Sequence, residues 1–318
     1  MTEKLISFII PAYNAALYLQ ACIDSVYSLD LKGHDREVYV VNDGSEDNTE
    51  EVMQHCKKMH PDMHVMTKEN SGPGMARNVA LFLATGRYVC FVDADDELDY
   101  ECDIQPLLTL LEEGKKDIIG IDCEQVGMNG VREPYRRYVP IYNKVYAPAG
   151  DFMRGRNIFP CAVTYLYRNE FLKAHKLYFM TDVYHEDDEF VVKTFALAES
   201  FIALDLPLYV RVLRSESITT TTDPEKQRKK LRDIVEVLKS LDDFGGRGDE
   251  ERRRCMRCKM DYIVVDLLLT MMRQKHPRAF QKEIISALRT MQRFPMRWRW
   301  EWKYMAFNIY TRIRYGLF

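Results

Sequence analysis

Strand and helix patterns alternate through the first hundred residues, and each strand-like run is followed by a cluster of polar or turn-forming residues. Residues 5–10 are a short apolar run with β-branched side chains, the pattern of a buried strand, and 37–41, 64–67 and 88–92 read as the second, third and fourth strands. Between the first two, residues 15–28 place Leu19, Cys22, Ile23, Val26 and Tyr27 at helical spacing. Asn42-Asp43-Gly44-Ser45 is turn chemistry, and Asp47, Asn48 and Thr49 offer helix caps. Gly72-Pro73-Gly74 breaks the chain before a helix that runs through Ala84, and the fourth run ends in Asp93-Ala94-Asp95-Asp96. This alternation predicts an α/β fold with a mostly parallel central sheet and helices on both faces. Ligands of such sheets bind beyond the carboxyl ends of the strands, which is where the polar clusters fall.

The rest of the chain divides differently. Residues 117–122 and 161–167 read as strands, 188–198 as a helix after an acidic turn, and 201–204 and 208–212 as short strands, while 124–160 show no clear period. From about Thr222 the pattern is helical over 224–241, 249–274 and 277–291, and the glycines of residues 244–249 mark a break between the first two. The predicted organisation is therefore a body over 1–222 and a helical region over 223–318. Charge follows a similar division. Through Glu250 the chain has 43 acidic and 29 basic residues; after it, 16 basic and 5 acidic. A formal net charge of −3 thus conceals an acidic body and a basic tail, an asymmetry that points to a surface or polyanion partner. A hydrophobic fraction of 47% excludes a disordered or low-complexity chain. The N-terminal run lacks the pattern of a signal peptide, and no apolar stretch reaches the roughly 18 residues of a spanning helix. Most cysteines sit in apolar runs, and Cys255-Met256-Arg257-Cys258 lacks a second ligand pair, so the eight cysteines read as reduced thiols of a cytosolic protein.

Four clusters carry chemistry, and each has a plain structural alternative. Three carboxylates within Asp93-Ala94-Asp95-Asp96 repel one another unless neutralised, and a divalent cation with a bound diphosphate does this; a solvated acidic turn is the alternative. Asp43 at a strand end can accept from a base or ribose, or simply form an Asx turn. The segment from Asn70 to Asn78 enters a helix N-terminus where backbone N–H groups and Arg77 suit phosphate, or is an ordinary Gly/Pro turn. His185-Glu186-Asp187-Asp188-Glu189 crowds acids that suit proton transfer, or a helix dipole. With no G-x-G-x-x-G fingerprint and no Walker lysine, hydride transfer and P-loop hydrolysis are not supported.

The order of these clusters is more specific than any one of them. Ile9-Ile10-Pro11-Ala12-Tyr13-Asn14, Val41-Asn42-Asp43-Gly44-Ser45, Asn70-Ser71-Gly72 with Ala76-Arg77-Asn78, and Thr85-Gly86-Arg87-Tyr88 with Phe91-Val92-Asp93-Ala94-Asp95-Asp96 together resemble glycosyltransferase family 2. The resemblance resumes at residues 185–190 and at Pro207-Leu208-Tyr209 through Arg214 to Ser217-Ile218-Thr219, so it spans about two thirds of the chain. It implies a GT-A fold with a Rossmann-like sheet in a catalytic domain over 1–222, with a nucleotide-binding half over 1–100 and an acceptor and donor-sugar half over 101–222. Residues 223–318 would be a helical, basic, membrane-associating extension. The reaction implied is inverting transfer of a sugar from a nucleotide-diphosphate sugar, a UDP-sugar foremost, to a glycan or lipid-linked glycan acceptor in bacterial cell-surface polysaccharide synthesis.

The resemblance also implies roles. Pro11, Ala12, Tyr13 and Asn14 would line the nucleotide pocket, and Asp43 would accept from the base with Gly44 and Ser45 beside it. Asn70, Gly72, Arg77 and Asn78 would approach the nucleotide and diphosphate. Asp93 and Ala94 would lie by the ribose, and Asp93 and Asp95 would hold Mn2+ or Mg2+. Asp187 would be the general base and Arg214 would face the leaving diphosphate. Val212 stands where many members carry a further Arg, which leaves that work to Arg211 or Arg214. Ser71 replaces a common glycine, and the Q-x-x-R-W segment of processive synthases is missing. The tail over 293–318 interleaves arginines with Trp298, Trp300, Trp302, Tyr304 and Tyr310, which suits an anionic membrane surface at the inner face of the membrane rather than nucleic acid. The competing expectation is a catalytically silent nucleotide-binding scaffold of a glycan assembly complex. A nucleotidyltransferase is a weaker third, since it would favour a Gly-rich loop after the first strand.

Overall fold

The computed structural model describes residues 4–138, 141–154, 158–213, 223–274, 276–297 and 302–315. Its elements in chain order are β1 (Lys4–Ala12), α1 (Leu19–Ser28), β2 (Asp35–Asn42), α2 (Thr49–Met59), β3 (His64–Thr67), α3 (Gly72–Leu83), β4 (Tyr88–Phe91), β5 (Glu97–Leu98) and α4 (Gln105–Glu113). Then come β6 (Ile118–Gly120), β7 (Cys123–Val126), β8 (Arg132–Arg136), α5 (Gly150–Met153), β9 (Tyr165–Arg168), α6 (Asn169–Ala174), α7 (Glu186–Leu197), β10 (Phe201–Ala203) and β11 (Tyr209–Val212). Four helices follow: α8 (Pro224–Gly246), α9 (Glu250–Arg273), α10 (Arg278–Thr290) and α11 (Trp302–Arg314).

The chain forms two compact units. The first comprises Met1–Phe152, Phe159–Asp182 and Glu186–Thr220 and carries a seven-stranded sheet in the order β10-β6-β9-β4-β1-β2-β3. Its β3, β2, β1 and β4 run parallel, joined through α1, α2 and α3. β9 lies antiparallel between β4 and β6. Eight of the nine residues of β1 are buried, as a central parallel strand covered on both faces requires. A second sheet, β5-β11-β7-β8, sets Tyr209 and Val212 beside the end of β4.

Several expectations are corrected. Residues 161–167 do not form one strand: Ala162–Thr164 is a 3-10 turn and β9 starts at Tyr165. The stretch without a period contains the β7–β8 hairpin and α5. The strand expected over 208–212 is present as β11 and belongs to the second sheet. The glycines over 244–249 do not end the first long helix early, because α8 continues through Gly246. Gly245 is buried in α8, facing Met256 and Arg253 of α9.

The second unit comprises Met153–Ile158, Val183–His185 and Thr221–Phe318 and holds α8 to α11, so the boundary near 222 has two upstream segments joined to its C-terminal side. Lys259 donates to the Ile158 carbonyl at 3.3 Å, and the Tyr184 N–H to Asp233 at 2.9 Å. Cys255 and Cys258 are buried on α9, and all eight cysteines are free thiols. α11 is inverted in polarity. Asn308 and Thr311 face inward, where Asn308 donates to the Met296 carbonyl at 3.0 Å, while Ile309, Tyr310 and Ile313 are exposed. Among the described residues no helix is long and apolar enough to cross a membrane.

One buried clamp anchors the first sheet. Glu37 on β2 accepts from Ser7 Oγ on β1 at 2.7 Å, from the Thr85 N–H at 2.8 Å and from Thr85 Oγ1 at 2.9 Å. The Gly86 N–H donates to Ser7 Oγ at 2.8 Å, and a Cβ at Gly86 would meet Ser7 N at 2.6 Å. Burial pushes the Glu37 carboxyl up, but the bonds from Thr85 and Ser7 outweigh it and hold it below the usual range. Its contribution is therefore complete above the ordinary Glu value and lost as pH falls through the folded one. Glu37→Gln is expected to destabilise the fold by about 1–3 kcal/mol in urea titrations near neutral pH, with the difference shrinking in acid.

Candidate active site

The loops at the carboxyl ends of β1 and β2 are laced together. Asn42 Oδ1 accepts from the Ser45 N–H and hydroxyl at 3.0 and 2.7 Å. Ser45 Oγ accepts from the Asn14 N–H at 3.0 Å, and Asn14 Oδ1 from the Glu46 N–H at 2.9 Å. These bonds hold Asn14 at a positive φ of 48°. Pro11 and Ala12 end β1 and are buried, whereas the Tyr13 ring is 46% exposed. Asp43 is buried beneath the β3–α3 loop, where Oδ1 accepts from the Ser71 N–H at 3.0 Å and pairs with Lys68. Gly44 has a φ of +70°, and a Cβ there would lie 2.8 Å from Asn70 N. Only glycine allows Asn70 to approach this closely. Gly72 opens α3 at a φ of +84° over open space. Pro11, Ala12, Tyr13, Asn14, Asp43, Gly44, Ser45, Asn70 and Gly72 thus share one cluster of loops.

The side chains of Arg77 and Asn78 on α3 are bonded to protein groups. Asn78 donates to the Phe179 carbonyl at 2.9 Å and accepts from its N–H at 2.8 Å, so its amide clasps backbone. Arg77 is buried and bonds three carboxylates. Nη2 donates to Asp93 at 2.7 Å, and Nη1 to Glu186 at 2.8 Å and to Asp187 at 3.5 Å. Its guanidinium also lies 5.2 Å from the centre of the Phe179 ring. Gly74 permits this convergence, because a Cβ there would meet the Met180 carbonyl at 2.6 Å. Burial pulls the Arg77 pKa down, and Asp187, Asp93 and Glu186 more than reverse this.

The acidic turn after β4 is sorted by the second sheet. The Tyr209 hydroxyl accepts from the Asp93 N–H at 3.2 Å and donates to Asp96 at 2.7 Å, while the Val212 N–H donates to the other Asp96 oxygen at 2.9 Å. Asp96 is buried, and desolvation, then the charge of Asp93, pushes its carboxyl up to about 7. Asp93 and Asp95 are half-exposed, and Ala94 between them is buried. Oxygen atoms of Asp93, Asp95 and Asp96 lie within 4.8 Å of one another. An all-oxygen donor set of this kind fits Mg2+ or Mn2+. Tyr209 and Val212 bond both oxygens of Asp96 and hold it in the interior.

Asp187, in the first turn of α7, completes the centre. Its Oδ2 accepts from the Ala162 N–H at 3.2 Å. Desolvation pushes its carboxyl up, Arg77 opposes this, and Glu186 and Asp93 add to it, for a value of about 7. Arg214 lies outside the described residues. Tyr209, Glu186 and the Ala162 N–H were given no role from sequence. Tyr209 and Glu186 both stand in segments that carry the resemblance, but their partners are set by strand pairing and helix placement. With Arg77→Ala, Asp93, Glu186 and Asp187 would face one another without a cation. Urea denaturation is expected to show a loss of about 3–5 kcal/mol, partly recovered by Arg77→Lys, whose ammonium keeps the charge but lacks the fork.

Comparison with known proteins places this geometry. The family profile for glycosyl transferase family 2 matches residues 7–175. Poly(ribitol-phosphate) beta-N-acetylglucosaminyltransferase TarS of Staphylococcus aureus is 28% identical over 212 residues, which are 66% of this chain and 36% of that protein. A glycosyltransferase of Bacillus subtilis, EpsJ, is 30% identical over 224 residues, 68% of this chain and 63% of that protein. The chain therefore spans about a third of the length of TarS. The crystal structure of S. aureus TarS 1-349 in complex with UDP-GlcNAc superposes with a TM-score of 0.67 at 23% identity, covering 91% of this chain and 80% of that one. Mannosyltransferase PcManGT from Pyrobaculum calidifontis, in complex with GDP-Man and Mn2+, gives 0.53 at 18% identity over 93% and 82%. These likenesses establish the GT-A fold. With a profile match over more than half of its residues, the chain belongs to glycosyl transferase family 2.

Proposed function

We propose that this chain is an inverting glycosyltransferase that moves a sugar from a nucleotide-diphosphate donor to an acceptor hydroxyl in the assembly of a bacterial cell-surface glycan. The observation that carries the reading is the Asp187 carboxylate, joined through Arg77 to the acidic turn and pushed up to about 7. A general base works best with a pKa near the working pH. Asp187 would take the proton of the acceptor hydroxyl as that oxygen attacks the sugar from the face opposite the leaving diphosphate. The Ala162 N–H and Arg77 orient it from two sides. Asp43, with one oxygen bonded to Ser71 and Lys68, would offer the other to the nucleotide base, and the exposed ring of Tyr13 would cover that pocket. Mg2+ or Mn2+, held by Asp93 and Asp95, would supply positive charge toward the leaving diphosphate. Arg214 is assigned to that same charge by resemblance alone. A silent scaffold has no use for a carboxylate tuned in this way. TarS, a relative that by its name acts on poly(ribitol-phosphate) and whose structure contains UDP-GlcNAc, makes a UDP-sugar the first donor to test.

A screen of nucleotide-sugars with Mn2+, reading release of nucleoside diphosphate, tests the reading directly. Asp187→Asn is expected to retain donor binding and lose transfer by about 10²–10⁴-fold. In the unaltered protein kcat/KM should fall on the acid side of about pH 7, because the base must be unprotonated. Near-normal turnover by the Asn variant would overturn the assignment.

The second unit supports a peripheral position on an anionic bilayer at the inner face of the membrane. The outward face of α11 carries Ile309, Tyr310 and Ile313, the last 64% exposed, with the exposed Arg314 beside them. An apolar stripe flanked by cations suits the lipid headgroup boundary. Sedimentation with vesicles of anionic lipid should lose most of the bound protein in the Ile309→Glu, Ile313→Glu double variant; equal sedimentation would exclude this face.

A further inference from the structure

The peptide that faces Asp187 is itself held from behind. Its N–H, that of Ala162, donates to Asp187 Oδ2 at 3.2 Å. Its carbonyl, that of Cys161, accepts from the Thr164 hydroxyl at 3.0 Å and from the Thr164 N–H at 3.2 Å. The C=O and N–H of a trans peptide point opposite ways in one plane, so fixing the carbonyl fixes the direction of the N–H. A carbonyl that accepts two bonds also polarises its peptide and makes the N–H a better donor. Thr164 is fully buried and ends the 3-10 turn Ala162–Thr164, just before β9 begins at Tyr165.

Two hydroxyls on β9 hold the same segment. Tyr167 donates to the Ala162 carbonyl at 3.3 Å, and Tyr165 donates to the Phe159 carbonyl at 2.9 Å. Both rings are buried. The Tyr167 ring meets Phe190 edge to face at 5.3 Å, and Phe190 follows Asp187 by three residues on α7. It also lies 5.9 Å from the ring of Phe91, the last residue of β4. Tyr167 therefore packs against the helix that carries Asp187 and bonds the segment that supplies its N–H donor.

Resting on the reading of Asp187 as the base, we infer that Thr164, with Tyr167 beside it, is a positioning residue of the transfer. Its hydroxyl sets the Cys161–Ala162 peptide so that Asp187, held at Oδ2 by the Ala162 N–H and at Oδ1 by Arg77, keeps one orientation as it takes the proton of the acceptor hydroxyl. This contribution belongs to the moment of proton transfer and not to donor binding.

Thr164→Val keeps the shape of the side chain and removes the hydroxyl, while Thr164→Ser keeps the hydroxyl and removes a methyl group, so the two variants separate the bond from the packing. With the donor found active in the nucleotide-sugar screen, Thr164→Val should lower kcat by about ten- to a hundredfold with KM for the donor within about twofold, and Thr164→Ser should stay within about threefold of the unaltered protein. In amide exchange followed by NMR, the Ala162 N–H should exchange at least about tenfold faster in Thr164→Val, while the Ile121 N–H, which donates to the Thr164 carbonyl at 3.0 Å, keeps its rate. An unaltered kcat in Thr164→Val, or a Thr164→Ser variant as slow as Thr164→Val, would overturn the inference. So would a raised KM with kcat unchanged, which would place Thr164 in donor binding, or an equal acceleration at Ile121, which would mean a general loosening. If the unaltered protein turns over no donor, the transferase reading falls by itself, and the Ala162 exchange rate alone decides whether Thr164 sets this peptide.

Discussion

Everything in the candidate active site depends on one buried guanidinium. Asp93 comes from the end of β4, and Glu186 and Asp187 from the start of α7, and Arg77 on α3 bonds all three. Carboxylates this close repel strongly in a medium of low dielectric, so the arrangement exists only with the cation inside it. The cation also decides how far the acids are perturbed. Burial and the neighbouring carboxylates push Asp187 up while Arg77 restrains it, and the balance falls where a base can take a proton near neutral pH. The missing side chain of Gly74 is part of the same device, because it lets α3 approach the Met180 carbonyl and the Glu186 side chain.

Around this centre the two sheets divide the work. The seven-stranded sheet, clamped at Glu37, presents the loops after β1, β2 and β3, which lace together through Asn14, Asn42, Asp43 and Ser45. The second sheet reaches the acidic turn from the other side. Its Tyr209 and Val212 draw Asp96 into the interior and leave Asp93 and Asp95 half-exposed, so three acids in four residues have two different environments.

Much of the first unit was legible because its signals are local. A buried parallel strand needs an apolar run, and a turn at its end needs glycine or a short polar side chain; residues 5–10, 37–41 and 88–92 and their following clusters meet both conditions, whereas 64–67 forms the partly exposed edge strand β3. What stayed hidden was set by distant partners. β9 lies antiparallel between β4 and β6, which no short window of its own residues reveals. The β7–β8 hairpin is short, with β8 mostly exposed, and so lacks a hydrophobic period. Gly245 and Gly246 have the local signature of a break, yet α8 runs through both. The protein partners of Arg77 and Asn78 were hidden too, because Asp93, Phe179, Glu186 and Asp187 come from segments distant in sequence.

By itself the sequence determined that the chain builds an α/β sheet with polar loops at its strand ends, that acids gather after the fourth strand and before a later helix, and that a basic helical region follows. Those follow from spacing and residue type, which act over a few residues. Only the tertiary structure decided that one arginine gathers the acids and that Tyr209 withdraws Asp96 from the cluster. Each of those outcomes is a matter of which side chains are brought within a few ångströms and how little water separates them, and electrostatic interactions depend on nothing else so strongly.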